Sequence, residues 1–216
     1  MKPKRTKEIK WTPKIAYTVG LIATDGCLSI DGRHLDFTSK DIQLLETFKK
    51  CLGLKSKIGF KNSSFSKKKY PHIQFSDVVL YKWLLKIGIT PHKSKTIREL
   101  KIPKKYFFDF LRGSFDGDGS CYSYWDTRWA SSFMFYINFN SGSLSHLKWL
   151  QSKLKNLLKI NGHINPGIGS WRLNYAKKES KAIIRKIYYT KNLPCLQRKY
   201  KKLKTILEID NKETNR

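Results

Sequence analysis

The sequence predicts an α+β protein made of two related halves, each with the element order αββαββα. One observation is an acidic turn that occurs twice, as "TVGLIATDG" (18–26) and "LRGSFDGDG" (111–119), and another is a pair of similar stretches downstream of the turns. The 216 residues of the chain are enough for a proper core. We therefore divide the chain into two repeats, at residues 1–101 and 102–216.

The repeat extends beyond the acidic turns. The stretch "DFTSKDIQLLETFKKCL" (36–52) resembles "NFNSGSLSHLKWLQSKL" (138–154). The two alignments pair Gly20 with Gly113, Asp25 with Asp118, Gly26 with Gly119, Phe37 with Phe139, and Ser39 with Ser141. The second half is longer between its turn and its downstream stretch, which we attribute to an insertion around residues 123–132. A chance match of two Gly/Asp turns is disfavoured because the similarity continues past them.

Start and stop signals place the motif of each half on a helix. Thr12 suits the N-cap and Pro13 the first helical position, and Gly26 is expected as the C′ residue. Pro103 and Gly119 flank the matching helix of the second half. The later elements are expected at approximately 41–52, 77–87, 143–159 and 178–189 for helices, at 56–60, 71–76, 163–165 and 170–175 for strands, and at 196–208 for a basic C-terminal helix.

The charge of the chain favours a polyanionic partner. Lys and Arg number 44 against 16 Asp and Glu, a formal net charge of +28. Such a charge makes the folded state repel itself unless an anion neutralises it, and nucleic acid is the leading candidate. A basic protein of the ribosomal or chromatin type and an anionic membrane surface are the alternatives. No apolar run is long enough to span a membrane.

The cysteines and histidines argue against a zinc site. The four cysteines are widely spread with no CxxC pair, and no histidine pair has the spacing of a zinc finger. Reduced thiols in an intracellular protein are the simplest interpretation. Five scattered histidines also lack the clustering that a zinc nuclease of the HNH type needs.

Two aspartates lie where a helix disfavours them. A carboxylate in the last helical turn meets the negative end of the dipole, at a cost of roughly 0.3–1 kcal/mol. Asp25 and Asp118 do so at matching positions, which indicates a purpose other than folding. Carboxylates are the ligands that hard divalent cations prefer. Asp116, two residues earlier, points about 200° away on a helix and has Ala23 at its place in the first half, so we expect a different role for it.

Small residues allow the two motif helices to lie side by side. Ala16 and Gly20 are four residues apart, as are Gly113 and Gly117, and small residues at this spacing let two helix backbones approach closely. Packing along a pseudo-twofold axis would bring the two aspartates together.

At this point the sequence resembles a known family. "TVGLIATDG" and "LRGSFDGDG" are similar to the two motifs of LAGLIDADG homing endonucleases in their single-chain, two-repeat form, and the resemblance covers nearly the whole chain. It implies a monomer whose two saddle-shaped antiparallel sheets lie in the major groove of double-stranded DNA. It also implies Mg²⁺-dependent cleavage of both strands of a long target, with short 3′ overhangs.

The resemblance also implies the site residues. Asp25 and Asp118 would be the metal-binding catalytic acids, with the backbone carbonyls of Thr24 and Gly117 as further ligands. Two or three divalent ions would lie at the repeat interface, and Mn²⁺ or Ca²⁺ would substitute for Mg²⁺ in crystals.

A lysine is expected near the site in each half. The resemblance points to Lys93 and Lys199, which would stabilise charge on the phosphate or polarise the attacking water. The chain is rich in basic residues, so Lys95, Arg98 and Arg198 remain alternatives. Ser39 and Ser141 are expected to hold a water network, although a serine before a helix is usually an N-cap.

The strand alternation separates a core face from a face that reads bases. We expect Leu28, Ile30, Leu35 and Phe37 to face the helices, which leaves the opposite face for base edges. The candidates are Ser29, Arg33, His34, Asp36, Lys57, Lys61, His72 and Gln74 in the first half, and Tyr122, Tyr124, Arg128, Tyr136, Asn138, Arg172 and Asn174 in the second.

Two other functions stay open. An RNA maturase that assists intron splicing has the same fold, and basic charge does not distinguish intron RNA from DNA. A binding protein that has lost cleavage is disfavoured because both aspartates are present. The Lys/Asn/Ile-rich composition hints at an AT-rich genome, such as that of an organelle or a phage, and leaves a prokaryotic cytoplasm open.

Overall fold

The two halves of the chain fold with the same order of helices and strands. The computed structural model describes residues 8–63, 66–128 and 132–214. The elements of the first half are α1 (Pro13–Asp25), β1 (Gly26–Leu28), β2 (His34–Thr38), α2 (Ile42–Leu52), β3 (Gly59–Ser63), β4 (Ser66–Ser76) and α3 (Val78–Ile87). Those of the second half are α4 (Phe107–Asp118, after a 3₁₀ turn at Lys104–Tyr106), β5 (Ser120–Trp125), β6 (Phe133–Ser141), α5 (Leu144–Leu158), β7 (His163–Gly167), β8 (Ser170–Ala176), α6 (Lys177–Ile187) and α7 (Gln197–Thr214).

Each half contains one four-stranded antiparallel sheet. The strand order is β1-β2-β4-β3 in the first sheet and β5-β6-β8-β7 in the second. Equivalent pairs stand at the sheet centres, since Asp36 lies opposite Gln74 in one sheet and Asn138 lies opposite Asn174 in the other. One face of each sheet packs against helices and holds buried side chains such as Phe37. The predicted fold class, α+β with two αββαββα repeats, is confirmed.

The helices α1 and α4 pack backbone to backbone between the two sheets. A Cβ at Gly20 would lie 2.7 Å from Ser114 N, and a Cβ at Gly113 would lie 3.1 Å from Gly20 Cα and would clash with Tyr17 O. Ala16 on the same helix is fully buried. The close approach that the small residues predict is therefore present, and it places the C-terminal ends of the two helices next to each other.

The glycines after the motif helices are needed for a reason other than the predicted one. Thr12 is the N-cap of α1, with its hydroxyl accepting from Ile15 N at 3.1 Å. Gly26 and Gly119 are the C-caps of the two helices and have extended backbones, with φ of −81° and −72°, so neither adopts the left-handed conformation that is common after a helix. Each glycine instead turns the chain tightly against its own helix, because a Cβ at Gly26 would lie 2.7 Å from Ile22 Cα.

Three further expectations differ from the structure. Ile30 does not join the core; it lies in the turn after β1 and is 82% exposed, because the strand ends two residues earlier. In the second pair of strands, β4 begins before the predicted residue 71 and β3 runs three residues beyond residue 60. The C-terminal helix extends beyond the predicted residue 208, to Thr214.

The start of α7 connects the two halves. Arg198 makes a two-pronged ion pair with Asp41, at 2.9 and 2.8 Å, and Gln43 Nε2 donates to Cys195 O at 3.0 Å. These contacts fix the segment before α7 to the N-terminal turn of α2. In the described part of the chain, no helix combines the length and the apolar character that crossing a membrane requires.

Candidate active site and nucleic-acid interface

The two motif aspartates lie at the junction of the two helices. Asp25 is the last residue of α1 and Asp118 the last of α4. A Cβ at Gly117 would lie 2.8 Å from Asp25 Oδ2 and 2.7 Å from Thr24 Cβ, so the Asp25 carboxylate lies against the residue that precedes Asp118. The close helix packing thus brings together the two acids that the repeat predicts.

Both carboxyl groups are harder to ionise than ordinary aspartates. Burial and the nearby Asp118 raise the pKa of Asp25 to about 7, against the opposing effect of Lys199 and Lys93. Partial burial also raises the pKa of Asp118, although this residue is the more exposed of the two. A bound cation would favour the ionised form of both carboxyl groups, because it is an opposite charge next to each of them.

The two predicted lysines lie at the C-terminal ends of the motif helices. Lys93 Nζ donates to Gly26 O at 2.7 Å and to Thr24 O at 3.2 Å. Lys199 Nζ contacts four carbonyl oxygens, and the shortest distances are 2.6 Å to Gly119 O and 2.7 Å to Phe115 O. A cation at this end of a helix interacts favourably with its dipole, so each lysine offsets part of the cost of the adjacent carboxylate.

The lysine side chains are themselves largely buried. Lys93 is 4% exposed and Lys199 is 8% exposed. Burial lowers the pKa of Lys93, and it lowers the pKa of Lys199 to about 8. Of the alternative basic residues, Lys95 and Arg98 are exposed, and Arg198 is held by Asp41. The structure therefore brings Lys93 and Lys199, rather than the alternatives, to the two acids.

The donor set at the helix ends suits a hard divalent cation in part. In the described ranges of the chain, no three His, Cys, Asp or Glu side chains come together. A cation would thus rely on Asp25, Asp118 and other oxygens. The carbonyls of Thr24 and Gly117 already accept from Lys93 and Lys199, but a carbonyl has a second lone pair. Two carboxylates with raised pKa values and two carbonyls fit Mg²⁺, which prefers oxygen ligands and keeps several waters.

The matched serines lie at equivalent turns in the two halves. Ser39 Oγ accepts from Asp41 N at 3.2 Å, and Ser141 Oγ accepts from Ser143 N at 3.1 Å. They are therefore two residues before the N-caps of α2 and α5 rather than N-caps themselves. These local hydrogen bonds give each serine a structural role in its turn. A role of the two serines in a water network stays a prediction.

Asp116 points away from the two terminal acids, as its helical spacing predicts. It is 1% exposed, and its Oδ2 accepts from Tyr17 OH at 2.8 Å and from Leu196 N at 2.7 Å. This carboxylate therefore joins α1, α4 and the start of α7.

The open face of the first sheet is organised around an acid. Asp36 Oδ1 accepts from Lys61 Nζ at 2.6 Å and from Thr38 Oγ1 at 2.8 Å, while its Oδ2 lies 2.6 Å from His72 Nδ1. Gln74 is exposed beside this cluster. Asp36, Lys61 and His72 thus form one fixed unit, not three independent groups.

The remaining candidates of the first half lie around the edge of this sheet. His34 contacts Asp31, and Ser29 and Arg33 flank the turn between β1 and β2. Lys57 precedes β3 and belongs to neither strand of that pair, because the strand begins later than predicted.

The open face of the second sheet is aromatic. The rings of Tyr122 and Tyr136 stack at 5.0 Å with planes 12° apart, and Tyr124 stacks on Tyr136 at 6.3 Å and 5°. They line a depression of about 770 Å³ together with Arg172 and Asn174. These stacked rings offer contacts of a different chemistry from the acid-centred cluster of the first sheet.

Two predicted residues of the second half do not present free groups. Asn138 is only 1% exposed, and its Oδ1 bonds to Ser120 Oγ, because it lies at the sheet centre close to the motif helix. A role for Asn138 in reading bases stays a prediction. Arg128 lies outside the strands, in the connection from β5 to β6, where Asp126 holds it at 2.9 Å.

The sequence analysis missed residues of the same surface. His163 and Asn165 on β7 line the depression, and Asn165 Oδ1 accepts from Asn174 Nδ2 at 3.0 Å. The alternation "HIN" in residues 163–165 carried this signal, since the outer residues of the triplet share a face.

Comparisons with known proteins give a fold. No model of a protein family matches the chain, and no curated protein matches it. A solved structure of the homing endonuclease I-WcaI bound to its DNA recognition sequence aligns with a TM-score of 0.62, 14% identity and coverage of 89% of this chain and 88% of that one. The structure of the LAGLIDADG meganuclease I-AabMI bound to uncleaved DNA aligns with a TM-score of 0.62 and 15% identity, over 95% of this chain and 92% of that one. The chain has the LAGLIDADG fold.

The LAGLIDADG fold also occurs in a protein that is not named as an endonuclease. Full-length DUF199/WhiA from Thermatoga maritima aligns with a TM-score of 0.59 and 18% identity over 94% of this chain. The match spans 62% of the WhiA chain. Identities this low establish the fold alone.

Proposed function

We propose that this LAGLIDADG chain is a monomeric, site-specific DNA endonuclease that makes a metal-dependent double-strand break. The observation that carries the proposal is the pair of acids at the junction of α1 and α4, each accompanied by a buried lysine. Folding alone does not explain carboxylates at two helix C-termini.

Binding to double-stranded DNA is supported by charge and by shape. The net charge of +28 needs a polyanion to neutralise it. Each half exposes one face of an antiparallel sheet, and two-stranded ribbons of such sheets fit the major groove. Proteins with similar folds have been solved on DNA.

The acids and lysines divide the work at the phosphate. Asp25 and Asp118 would hold Mg²⁺, with the carbonyls of Thr24 and Gly117 completing part of its shell. A bound Mg²⁺ ion would supply charge to the phosphate and lower the pKa of a water molecule for in-line attack. The carboxylates themselves orient what they bind, since α1 and α4 fix them.

Lys93 and Lys199 stabilise the charge that develops on the two scissile phosphates. Their Nζ atoms are anchored to backbone carbonyls, so little reorganisation accompanies the reaction. A Lys199 pKa of about 8 keeps its ammonium mostly charged near neutral pH. With one acid and one lysine per half, each half serves one strand, and the staggered cuts leave short 3′ overhangs.

A selection for cut sites tests the proposal. The protein is mixed with a randomised duplex library and Mg²⁺, and the cut ends are sequenced. We expect one enriched site with a staggered break. Asp25→Asn and Asp118→Asn should abolish double-strand cleavage while binding to that duplex persists, because the fold and the basic surface remain.

The matched control is Glu46→Gln, which removes a partly exposed carboxylate of α2 that pairs with Lys49 and belongs to neither motif helix. It should cut like the unmodified chain. Binding to an enriched duplex without cleavage would identify a DNA-binding protein, and preferential binding of intron RNA would favour a maturase. Persistent cleavage by both Asp→Asn variants would refute the assignment of the acids.

A further inference from the structure

We propose that Asp116 is a positioning residue. It holds Lys199 in the half of the site that cuts one of the two DNA strands. The inference rests on the proposed function, because it assigns Lys199 to one strand. It concerns a carboxylate that belongs to neither the metal site nor the DNA-facing surface.

Asp116 and Lys199 form a reciprocal clasp between two helices. The Asp116 carboxylate accepts from Leu196 N, at 2.7 Å, at the N-terminal end of α7. The Lys199 side chain extends from the first turn of α7 to the C-terminal end of α4, where its ammonium lies within hydrogen-bonding distance of four carbonyl oxygens. Each charge lies at the helix end whose dipole favours it. The clasp fixes the backbone of α7 at the place from which the Lys199 side chain extends.

The burial of Asp116 is costly, which argues against a purely stabilising role. The residue is 1% exposed, and its Oδ1 is buried with no hydrogen-bond partner among the residues that the structure describes. An unsatisfied buried carboxylate oxygen destabilises the folded state. A smaller apolar residue would avoid this cost, and the first half has Ala23 at the matching position.

The first half does without a clasp because Lys93 is held locally. Its own carbonyl accepts from Thr96 N at 3.0 Å and from Ile97 N at 2.8 Å, so a tight turn fixes the lysine. Lys199 instead follows the less regular segment between α6 and α7. Such a segment needs a contact across the gap to set the register of the helix that follows.

Other contacts limit the size of the effect. Arg112 Nε donates to Pro194 O at 2.9 Å, and Arg198 pairs with Asp41. When Asp116 is replaced, the segment before α7 therefore stays near the junction, but the Lys199 side chain is no longer held in position. We expect a loss on the order of tenfold on one strand, the usual size for one hydrogen bond to a charged group.

The test compares cleavage of the two strands. The substrate is a supercoiled plasmid with the cut site recovered by the unmodified chain, and labelled duplexes report each strand. Asp116→Ala should accumulate nicked circles, with the nick in the same strand that Lys199→Met leaves cut. Asp116→Asn, whose amide oxygen still accepts from Leu196 N, should largely restore balanced cleavage.

Tyr17→Phe is the matched control, because it removes the other partner of the same carboxylate oxygen without touching α7. It should leave the strand ratio unchanged. A general loss of fold slows both strands alike, so equal slowing by Asp116→Ala overturns the inference. Nicking of the opposite strand overturns it too.

Hydrogen exchange provides a second readout that needs no cleavage. In Asp116→Ala, amides of residues 195–202 should exchange at least severalfold faster, with residues 92–97 unchanged as the internal reference. Unchanged exchange in 195–202 would overturn the inference whatever the cleavage result. Failure of the unmodified chain to cut any site would instead overturn the proposed function.

Discussion

The two halves of the candidate site place a lysine beside an acid by different means. In the first half, Lys93 lies on a short turn and contacts two carbonyls of its motif helix and the following glycine. In the second half, Lys199 lies on a long helix and contacts four. Duplication explains the equivalent acids and glycines of the motifs, whereas the lysines come from the segments after α3 and α6, which differ between the halves. The two acids are therefore placed symmetrically, whereas the two lysines beside them are held in different ways.

The strongest test of this comparison is a substitution on its symmetric side. Gly113→Ala adds a Cβ that clashes with Tyr17 O and approaches Gly20 Cα to 3.1 Å. Backbone cannot move aside as a side chain does, so we expect a loss of more than about 3 kcal/mol in the free energy of unfolding, beyond the usual cost of overpacking. Urea denaturation measures it.

The matching change in the first half, Gly20→Ala, should cost a similar amount. The control is Gly167→Ala at the end of β7, where a Cβ meets nothing closer than Ser170 O at 3.3 Å. Near-native stability of Gly113→Ala would mean that α1 and α4 are not in backbone contact.

The asymmetric side is tested by removing each lysine in turn. Lys199→Met and Lys93→Met should each slow cleavage of a different strand by about 10²–10³-fold, as for loss of one group that stabilises transition-state charge. Strand-labelled duplexes on denaturing gels measure this.

Stability should separate the two lysine variants. The Lys199 ammonium can donate three hydrogen bonds to the carbonyls around it, and that of Lys93 donates two. Lys199→Met should therefore lose about 1–2 kcal/mol more in urea denaturation than Lys93→Met. If each variant slowed both strands equally, the division of the site by strands would be wrong.

The sequence anticipates the symmetric part better than the asymmetric part. Asp25 and Asp118 are identifiable because a carboxylate at a helix C-terminus breaks a dipole rule twice at matching positions. Lys93 and Lys199 are not identifiable by chemistry alone in a chain with 44 Lys and Arg, and only the family resemblance singles them out.

The contacts of Asp116 lie beyond such rules altogether. Its partner Leu196 contributes only a backbone N–H, from 80 positions along the chain. No periodicity or spacing encodes that pairing. The exposed Ile30 fails for a related reason: the alternating pattern continues past the point where the strand hydrogen bonding stops.

The pKa values predict a smaller effect, on stability without metal. The pKa of Asp25 is about 7 in the folded chain and near 3.8 when unperturbed. The folded state therefore binds a proton more tightly, and its stability falls as pH rises from about 4 to about 7. Asp25→Asn removes this cost, so the variant should gain about 1–3 kcal/mol at pH 8 and nothing near pH 3.

Denaturation at the two pH values, with and without Mg²⁺, measures this effect. Mg²⁺ should stabilise the unmodified chain more than the variant, since it binds the ionised carboxylates. The opposite sign is expected for Asp31→Asn, because hydrogen bonds from His34 hold the pKa of Asp31 below its usual range. If Asp25→Asn were less stable than the unmodified chain at pH 8, the ionised Asp25 would not destabilise the folded state, and this prediction would be wrong.

The smallest effects should separate the two open sheet faces. Asp36→Asn releases Lys61 from its ion pair and changes the hydrogen-bond partner of His72, so Lys61 becomes free to contact phosphate. The dependence of log Kd on log salt should then steepen by about one unit. Tyr136→Ala removes a stacked ring and no charge, so Kd should weaken severalfold with the salt slope unchanged. Titrations of both variants with the recovered duplex at several salt concentrations measure the two slopes, and an equal change would show that acid-centred and aromatic faces bind DNA by the same chemistry.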